Sequence, residues 1–214
     1  MHMFQSETFS NTRKLAKLAL LLATMLSAGA ATAESSAERG EQKAATCAAC
    51  HGADGNSLNP EWPSLAGQHE KYFVQSLKTF KPGGGRNNPL MLGQVMALSD
   101  QDMLDLAAYY KAQKAARRAA DANLVEAGER LYRGGNRERS TSACIACHGP
   151  TGRGNPAAAY PSLSGQHATY TANQLRAYAS GERKSDAGQM MRGIAATLSD
   201  DDIAAVSAYI QGLR

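Results

Sequence analysis

Four cysteines are the only ones in the chain, and they fall as Cys47-Ala48-Ala49-Cys50-His51 and Cys144-Ile145-Ala146-Cys147-His148. Both runs are C-x-x-C-H, the spacing of covalent c-type haem attachment. Two thiols about one helical turn apart can each add to a vinyl group on one haem edge. The histidine that follows then faces the iron. A thioredoxin-like C-x-x-C needs a βαβ setting, and no stretch here alternates strands with helices. A zinc ribbon places its second pair about 15–20 residues after the first, whereas these pairs start 97 residues apart. Two disulfides would leave a histidine after both pairs without a reason. The cysteines therefore predict two covalently bound haem c groups, with His51 and His148 as iron ligands.

The opposite face of each iron calls for a second ligand. Met91 stands seven residues before Leu98, and Met191 stands seven before Leu198. Met96 and Met190 have no partner in that register. Met91 and Met191 are therefore the expected axial sulfurs, in loops 40 and 43 residues after their histidines, with Met96 and Met190 as fallbacks. His69 and His167 also match between halves. They directly follow Gly-Gln at an expected helix start, where a surface or capping role is more ordinary than ligation.

These residues belong to an internal repeat, a signal that fixes architecture before any single element does. Trp62-Pro63-Ser64-Leu65-Ala66-Gly67-Gln68-His69 is matched by Tyr160-Pro161-Ser162-Leu163-Ser164-Gly165-Gln166-His167, and Tyr72 by Tyr170. The elements that must position the ligands read as helical throughout. Glu38 to Cys47 and Ala127 to Arg133 predict a helix entering each cysteine motif. His69 to Phe80 and His167 to Ala179 predict a second helix. Ser99-x-x-Asp102 and Ser199-x-x-Asp202 are near capping boxes that open the final helices. No segment alternates as a strand does. Gly83-Gly84-Gly85 and Gly134-Gly135 mark loops. The expected fold is all-α, with two tandem domains related by duplication.

Residues 1–33 read as a secretory signal peptide. Arg13, Lys14 and Lys17 precede the apolar run Leu18 to Leu26, and Ala31-Thr32-Ala33 resembles a cleavage site. Nine apolar residues fall well short of the roughly twenty that span a bilayer. Export to the periplasm is the expectation; a retained leader would leave the protein peripherally associated with a membrane. The remaining chain divides into an N-terminal haem domain at 34–117, a linker at 118–123 and a C-terminal haem domain at 124–214. Without Arg13, Lys14, Lys17 and Glu7, the chain holds 20 basic and 18 acidic residues, far from the balance of a nucleic-acid binder. Each domain is small and has few large apolar side chains, so a buried haem must supply much of its core.

The motifs, their order and the duplication resemble the cytochrome c4 family of di-haem class I cytochromes c, over essentially all of the chain after the leader. The Cys47/Cys50/His51 and Cys144/Cys147/His148 motifs carry the resemblance to c-type cytochromes. The Met91 and Met191 segments and the doubled Pro-Ser-Leu-x-Gly-Gln-His narrow it to this group. The resemblance implies two class I domains about a pseudo-twofold axis, with His/Met haems close across their interface. It also implies that the carbonyls of Pro63 and Pro161 accept the free N–H of the ligand histidines, fixing ring orientation and basicity. Trp62 and Tyr160 precede those prolines and are candidates to donate to haem propionates. One departure is the extra polar stretch Asn136 to Thr141 before Cys144, which reads as a surface loop.

Histidine plus thioether ligation favours ferrous iron and raises the potential. A six-coordinate iron leaves no place for a small-molecule substrate, so the chain reads as a one-electron carrier and not an enzyme. The rival reading is a di-haem oxidoreductase such as a peroxidase, with one open haem site. Two modules that look alike, each with its own sulfur, argue against that division of labour. A haem-based sensor would need a signalling part that the chain lacks. The resemblance further implies a monomer that takes electrons from the bc1 complex and delivers them to a terminal oxidase.

Overall fold

The computed structural model describes residues 34–214, so the expected leader and its cleavage site lie outside the described residues. Residues 35–214 form one compact unit, and its described secondary structure is helical apart from two isolated bridges.

In the first half, α1 (Ala37–His51) packs across α4 (Asp100–Ala112), with α2 (Glu70–Thr79) and the short α3 (Pro89–Val95) between them in sequence. The second half repeats this with α5 (Val125–Gly134), α6 (Ile145–His148), α7 (Ala168–Ala179), α8 (Met190–Ala195) and α9 (Asp200–Gly212). Here α5 crosses α9, and α7 leans on α9. Each crossing is made on a glycine. A Cβ on Gly40 would overlap the Asp105 carbonyl, and one on Gly128 would overlap the Ala205 carbonyl. The apolar clusters lie beside the crossings: Ala44, Phe73, Leu106, Ala107 and Tyr110 in one half, and Leu131, Tyr132, Val206, Tyr209 and Ile210 in the other.

Local chemistry explains most helix ends. Ser99 and Ser199 each close a complete capping box with Asp102 and Asp202, which satisfies two otherwise orphaned N–H groups at the start of α4 and α9. The first half has a further anchor. The Asp105 carboxylate, 1% exposed, accepts from Arg39 Nε and Nη2 at 2.8 Å each and from Ser36 N at 2.8 Å. It ties the start of α1 to the middle of α4.

Two expectations on the elements change. The helix expected to end at Cys47 runs on through both thiols to His51, so the first motif is the last turn of a 15-residue helix. In the second half the chain leaves α5 at Gly134, and the polar stretch from Asn136 forms a loop closed by paired Asn136 and Thr141 before α6 resumes at Ile145. The expected methionine loops are also short helices. Asn88 caps α3 by accepting from Met91 N at 3.0 Å, and Pro89 takes the first helical position, where its missing N–H costs nothing. At α8, the Asp186 carboxylate accepts from both Arg192 N (2.9 Å) and Arg192 Nε (2.7 Å).

Candidate functional site: two cysteine-histidine motifs and the interface between them

Each motif ends a helix with its histidine turned inward. His51 and His148 are both 7% exposed. His51 Nδ1 lies 2.8 Å from the Pro63 carbonyl, and His148 Nδ1 lies 3.1 Å from the Pro161 carbonyl. An Nδ1–H donated there leaves Nε2 as the lone-pair nitrogen. Burial pushes both histidines below their ordinary pKa, against the raising effect of the carbonyl, so the neutral ring of a metal ligand is the favoured form.

The two prolines reach the histidines because the chain doubles back the same way in each half. The Gly55 carbonyl accepts from Leu65 N (2.7 Å) and Ala66 N (3.1 Å). The Gly152 carbonyl accepts from Leu163 N (2.7 Å) and Ser164 N (3.2 Å). Ser57 Oγ adds a bond to the Cys50 carbonyl at 3.2 Å in the first half. None of the four cysteines is in a disulfide.

Trp62 and Tyr160 are both partly buried. Tyr160 lies 6.4 Å from the His148 ring, centroid to centroid, and its hydroxyl donates to Met190 Sδ at 3.9 Å. Met91 and Met191 are partly buried near the start of α3 and α8, whereas Met96 is 56% and Met190 44% exposed.

The interface holds further residues outside the two cysteine-histidine motifs. His69 and His167 precede α2 and α7, but neither side chain caps a helix. Each reaches the other half instead: His69 Nε2 lies 2.6 Å from the Arg153 carbonyl, and His167 Nε2 lies 2.8 Å from the Ser57 carbonyl. His167 is only 7% exposed, so the surface role expected of it is replaced by a buried interdomain contact. Beside these, Gln68 pairs with the Ser162 backbone and Gln166 with the Ser64 backbone. The extended segment after α4 is pinned to both halves, since Arg118 donates to the carbonyls of Ser57 and Gly165.

A second cluster joins α2 to α7. Gln174 Oε1 accepts from Arg86 Nη2 and from Arg183 Nη1, each at 2.9 Å, while Arg183 Nη2 donates to Tyr72 Oη at 3.2 Å. Arg183 is 6% exposed. Among the described residues no carboxylate lies within ion-pair distance of either guanidinium. Two adjacent cations with only neutral acceptors are costly to bury. They suit a group that brings carboxylates of its own, as haem does. Paired thiols, a neutral imidazole and this cationic pair all fit that cofactor. Arg86 and Arg183 are not in register in the repeat, so the sequence carried no signal for this pair.

The comparisons with known proteins agree with this geometry. The cytochrome c family model matches residues 37–114 and again residues 125–214. Cytochrome c4 of Azotobacter vinelandii is 50% identical over 206 residues, covering 92% of this chain and 98% of that protein. The thiosulfate dehydrogenase electron acceptor of Stutzerimonas stutzeri is 39% identical over 200 residues, covering 91% and 92%. The crystal structure of reduced recombinant cytochrome c4 from Pseudomonas stutzeri superposes with a TM-score of 0.82 at 46% identity, covering 85% of this chain and all of that one. With two cytochrome c domains, a C-x-x-C-H motif for covalent haem c in each, and likeness to these relatives over most of its length, the chain belongs to the cytochrome c4 family of di-haem electron carriers.

Proposed function

We propose that the protein is a soluble periplasmic electron carrier and not an enzyme. Its thioether-forming residues are Cys47, Cys50, Cys144 and Cys147, and its axial ligands are His51 with Met91 and His148 with Met191. The haem domains span 34–117 and 124–214, joined by the linker at 118–123. The observation that carries the reading is the likeness of the two sites: each histidine is equally buried and bonded to the equivalent proline carbonyl. An oxidoreductase with one open site would call for two sites built differently.

Bound haem supplies the one-electron exchange between ferric and ferrous iron. The chain's residues hold that exchange steady. Pro63 and Pro161 keep each imidazole in one orientation and tautomer. Met91 and Met191 would supply thioether sulfurs to the haem iron, a ligand type that favours the electron-rich state. Arg86 and Arg183 would receive haem carboxylates at the interface, and Trp62 and Tyr160 would be further propionate contacts. No helix of the described residues is long and apolar enough to cross a membrane.

The bc1 complex is the proposed donor and a terminal oxidase the acceptor. The similarity to a thiosulfate dehydrogenase electron acceptor favours a second reading, in which the electrons come from a sulfur-oxidising enzyme. Stopped-flow reduction by each donor, at matched concentrations, separates the two. The test of the carrier reading itself is the optical spectrum of the ferric protein with haem quantified per chain. Two low-spin haems with the long-wavelength sulfur-to-iron band at full strength support it. A half-strength band or a high-spin component overturns it in favour of an accessible iron.

A further inference from the structure

The Gly-Gln-His segment of each half places a glutamine against the backbone of the other half. Gln166 Oε1 accepts from Ser64 N at 2.9 Å, and Gln166 Nε2 donates to the Ser64 carbonyl at 2.9 Å. Reciprocally, Gln68 Oε1 accepts from Ser162 N at 3.0 Å, and Gln68 Nε2 donates to the Ser162 carbonyl at 3.0 Å. Ser64 N belongs to the same peptide unit as the Pro63 carbonyl, which is the acceptor of His51. Ser162 N belongs to the same peptide unit as the Pro161 carbonyl, the acceptor of His148. The two ends of each peptide are thus held by residues from different halves.

We propose that Gln166 is a positioning residue for His51, and Gln68 for His148. Each glutamine sets the orientation and acceptor strength of the carbonyl that holds the axial histidine of the opposite domain. A peptide is planar, so fixing the direction of its N–H fixes the direction of its C=O. A hydrogen bond accepted from that N–H also polarises the amide and strengthens the carbonyl as an acceptor. A stronger bond from Nδ1–H makes the imidazole a more basic ligand. Docking of the two halves therefore enters the properties of both sites, and each site is completed only by its neighbour. This inference rests on His51 and His148 being the axial ligands.

A simpler role competes. The same Oε1 atoms accept from the N–H of the next residue, His69 N at 2.9 Å and His167 N at 3.1 Å, at the starts of α2 and α7. A glutamine acting only as this local brace would affect its own half, and one acting only as interdomain glue would affect both histidines alike. The positioning role is crossed. The first half also has spare anchors, because Ser64 Oγ accepts from Ser57 N (3.2 Å) and Arg118 Nη2 (3.1 Å). Loss of Gln68 is thus expected to matter more than loss of Gln166.

The experiment uses the full di-haem protein and two variants, Gln68→Leu and Gln166→Leu. NMR reads the exchange of each histidine Nδ1–H, and a redox titration followed by haem methyl shifts reads the two midpoint potentials. Gln166→Leu is expected to speed exchange at His51 by about tenfold, the factor that corresponds to one lost net hydrogen bond. It should raise the potential of the His51 haem and leave His148 near its starting rate. Gln68→Leu should do the reverse, with the larger effect. Gln166→Glu keeps an acceptor for Ser64 N and should restore slow exchange at His51. If a leucine variant does not retain both haems, Gln→Asn withdraws the amide by one methylene and is read the same way. Equal responses at both histidines, a response only in the glutamine's own half, or none at all would overturn the proposal. A protein that lacks low-spin haem altogether would instead overturn the ligand assignment.

Discussion

Substituting Gly40 with alanine tests the helix crossing that holds the first haem motif, and two opposing effects decide its sign. Alanine is the better helix former by about 1 kcal/mol in a helix interior. If α1 were free on that side, Gly40→Ala would stabilise the protein by that amount. In the structure the new Cβ overlaps the Asp105 carbonyl and lies 2.8 Å from Tyr109 Cβ. Ordinary carbon contacts are roughly 3.5–4 Å, so the helices must part by something like 1 Å, and backbone cannot swing aside as a flexible side chain can. Overpacking of this kind costs about 1–3 kcal/mol or more, and a rigid backbone neighbour puts the site at or beyond the upper end. The net expectation is a loss of roughly 1–3 kcal/mol, or about 5–15 °C in the melting temperature of a module this size. Circular dichroism reads the melting, and the Soret band reads the haem. Gly128→Ala meets the Ala205 carbonyl and Tyr209 Cβ in the same way and should cost a similar amount. The two variants should differ at the haem. Because α1 runs unbroken into Cys47 and His51, Gly40→Ala should also disturb the first haem's spectrum. The loop between α5 and α6 should spare the second. A Gly40→Ala protein that melts at a higher temperature would refute the close crossing.

Other expectations follow from single sites. Hydrogen bonds from Arg39 hold the buried Asp105 carboxyl down, at about 2 against an ordinary 3.8. A depressed folded pKa gives stability that is complete above about pH 4 and lost as the pH falls toward 2. The second half has Ala205 at this position, so acid titration should unfold the first half before the second. Arg39→Ala should cost about 1.5–3 kcal/mol at neutral pH, as expected for lost hydrogen bonds to a charged group, and chemical denaturation measures it. Replacing Met91 or Met191 with alanine should lower one potential and let carbon monoxide bind one haem. If only Met96 or Met190 variants did so, the register argument for the sulfurs would fail.

Much of the site was legible because its chemistry is local. The C-x-x-C-H spacing is set by the reach of two thiols over one haem edge, and all five residues sit together in the chain. The capping boxes at Ser99 and Ser199 are equally local, since the bonding atoms are three residues apart. The short helices around Met91 and Met191 were less legible. Asn88-Pro89 and Asp186 with Arg192 do start them, but a six- or seven-residue segment carries too little periodicity to separate helix from loop. The burial of His167 was missed for a related reason. Its position at a helix start was read correctly, and a surface role followed only if each domain stood alone. A buried partner 110 residues away along the chain leaves no local trace.

By itself, then, the sequence determined what is covalent or nearest-neighbour: the cofactor, the number of sites, the helices and the duplication. Only the tertiary structure decided which glutamine braces the carbonyl that holds each histidine, and that two arginines out of ion-pair reach of any described carboxylate meet between the halves. The physical reason is that these contacts join segments roughly 90 to 110 residues apart, so their pairing is fixed by the docking of one folded half on the other. A repeat shows that two surfaces match. It cannot show that they face each other.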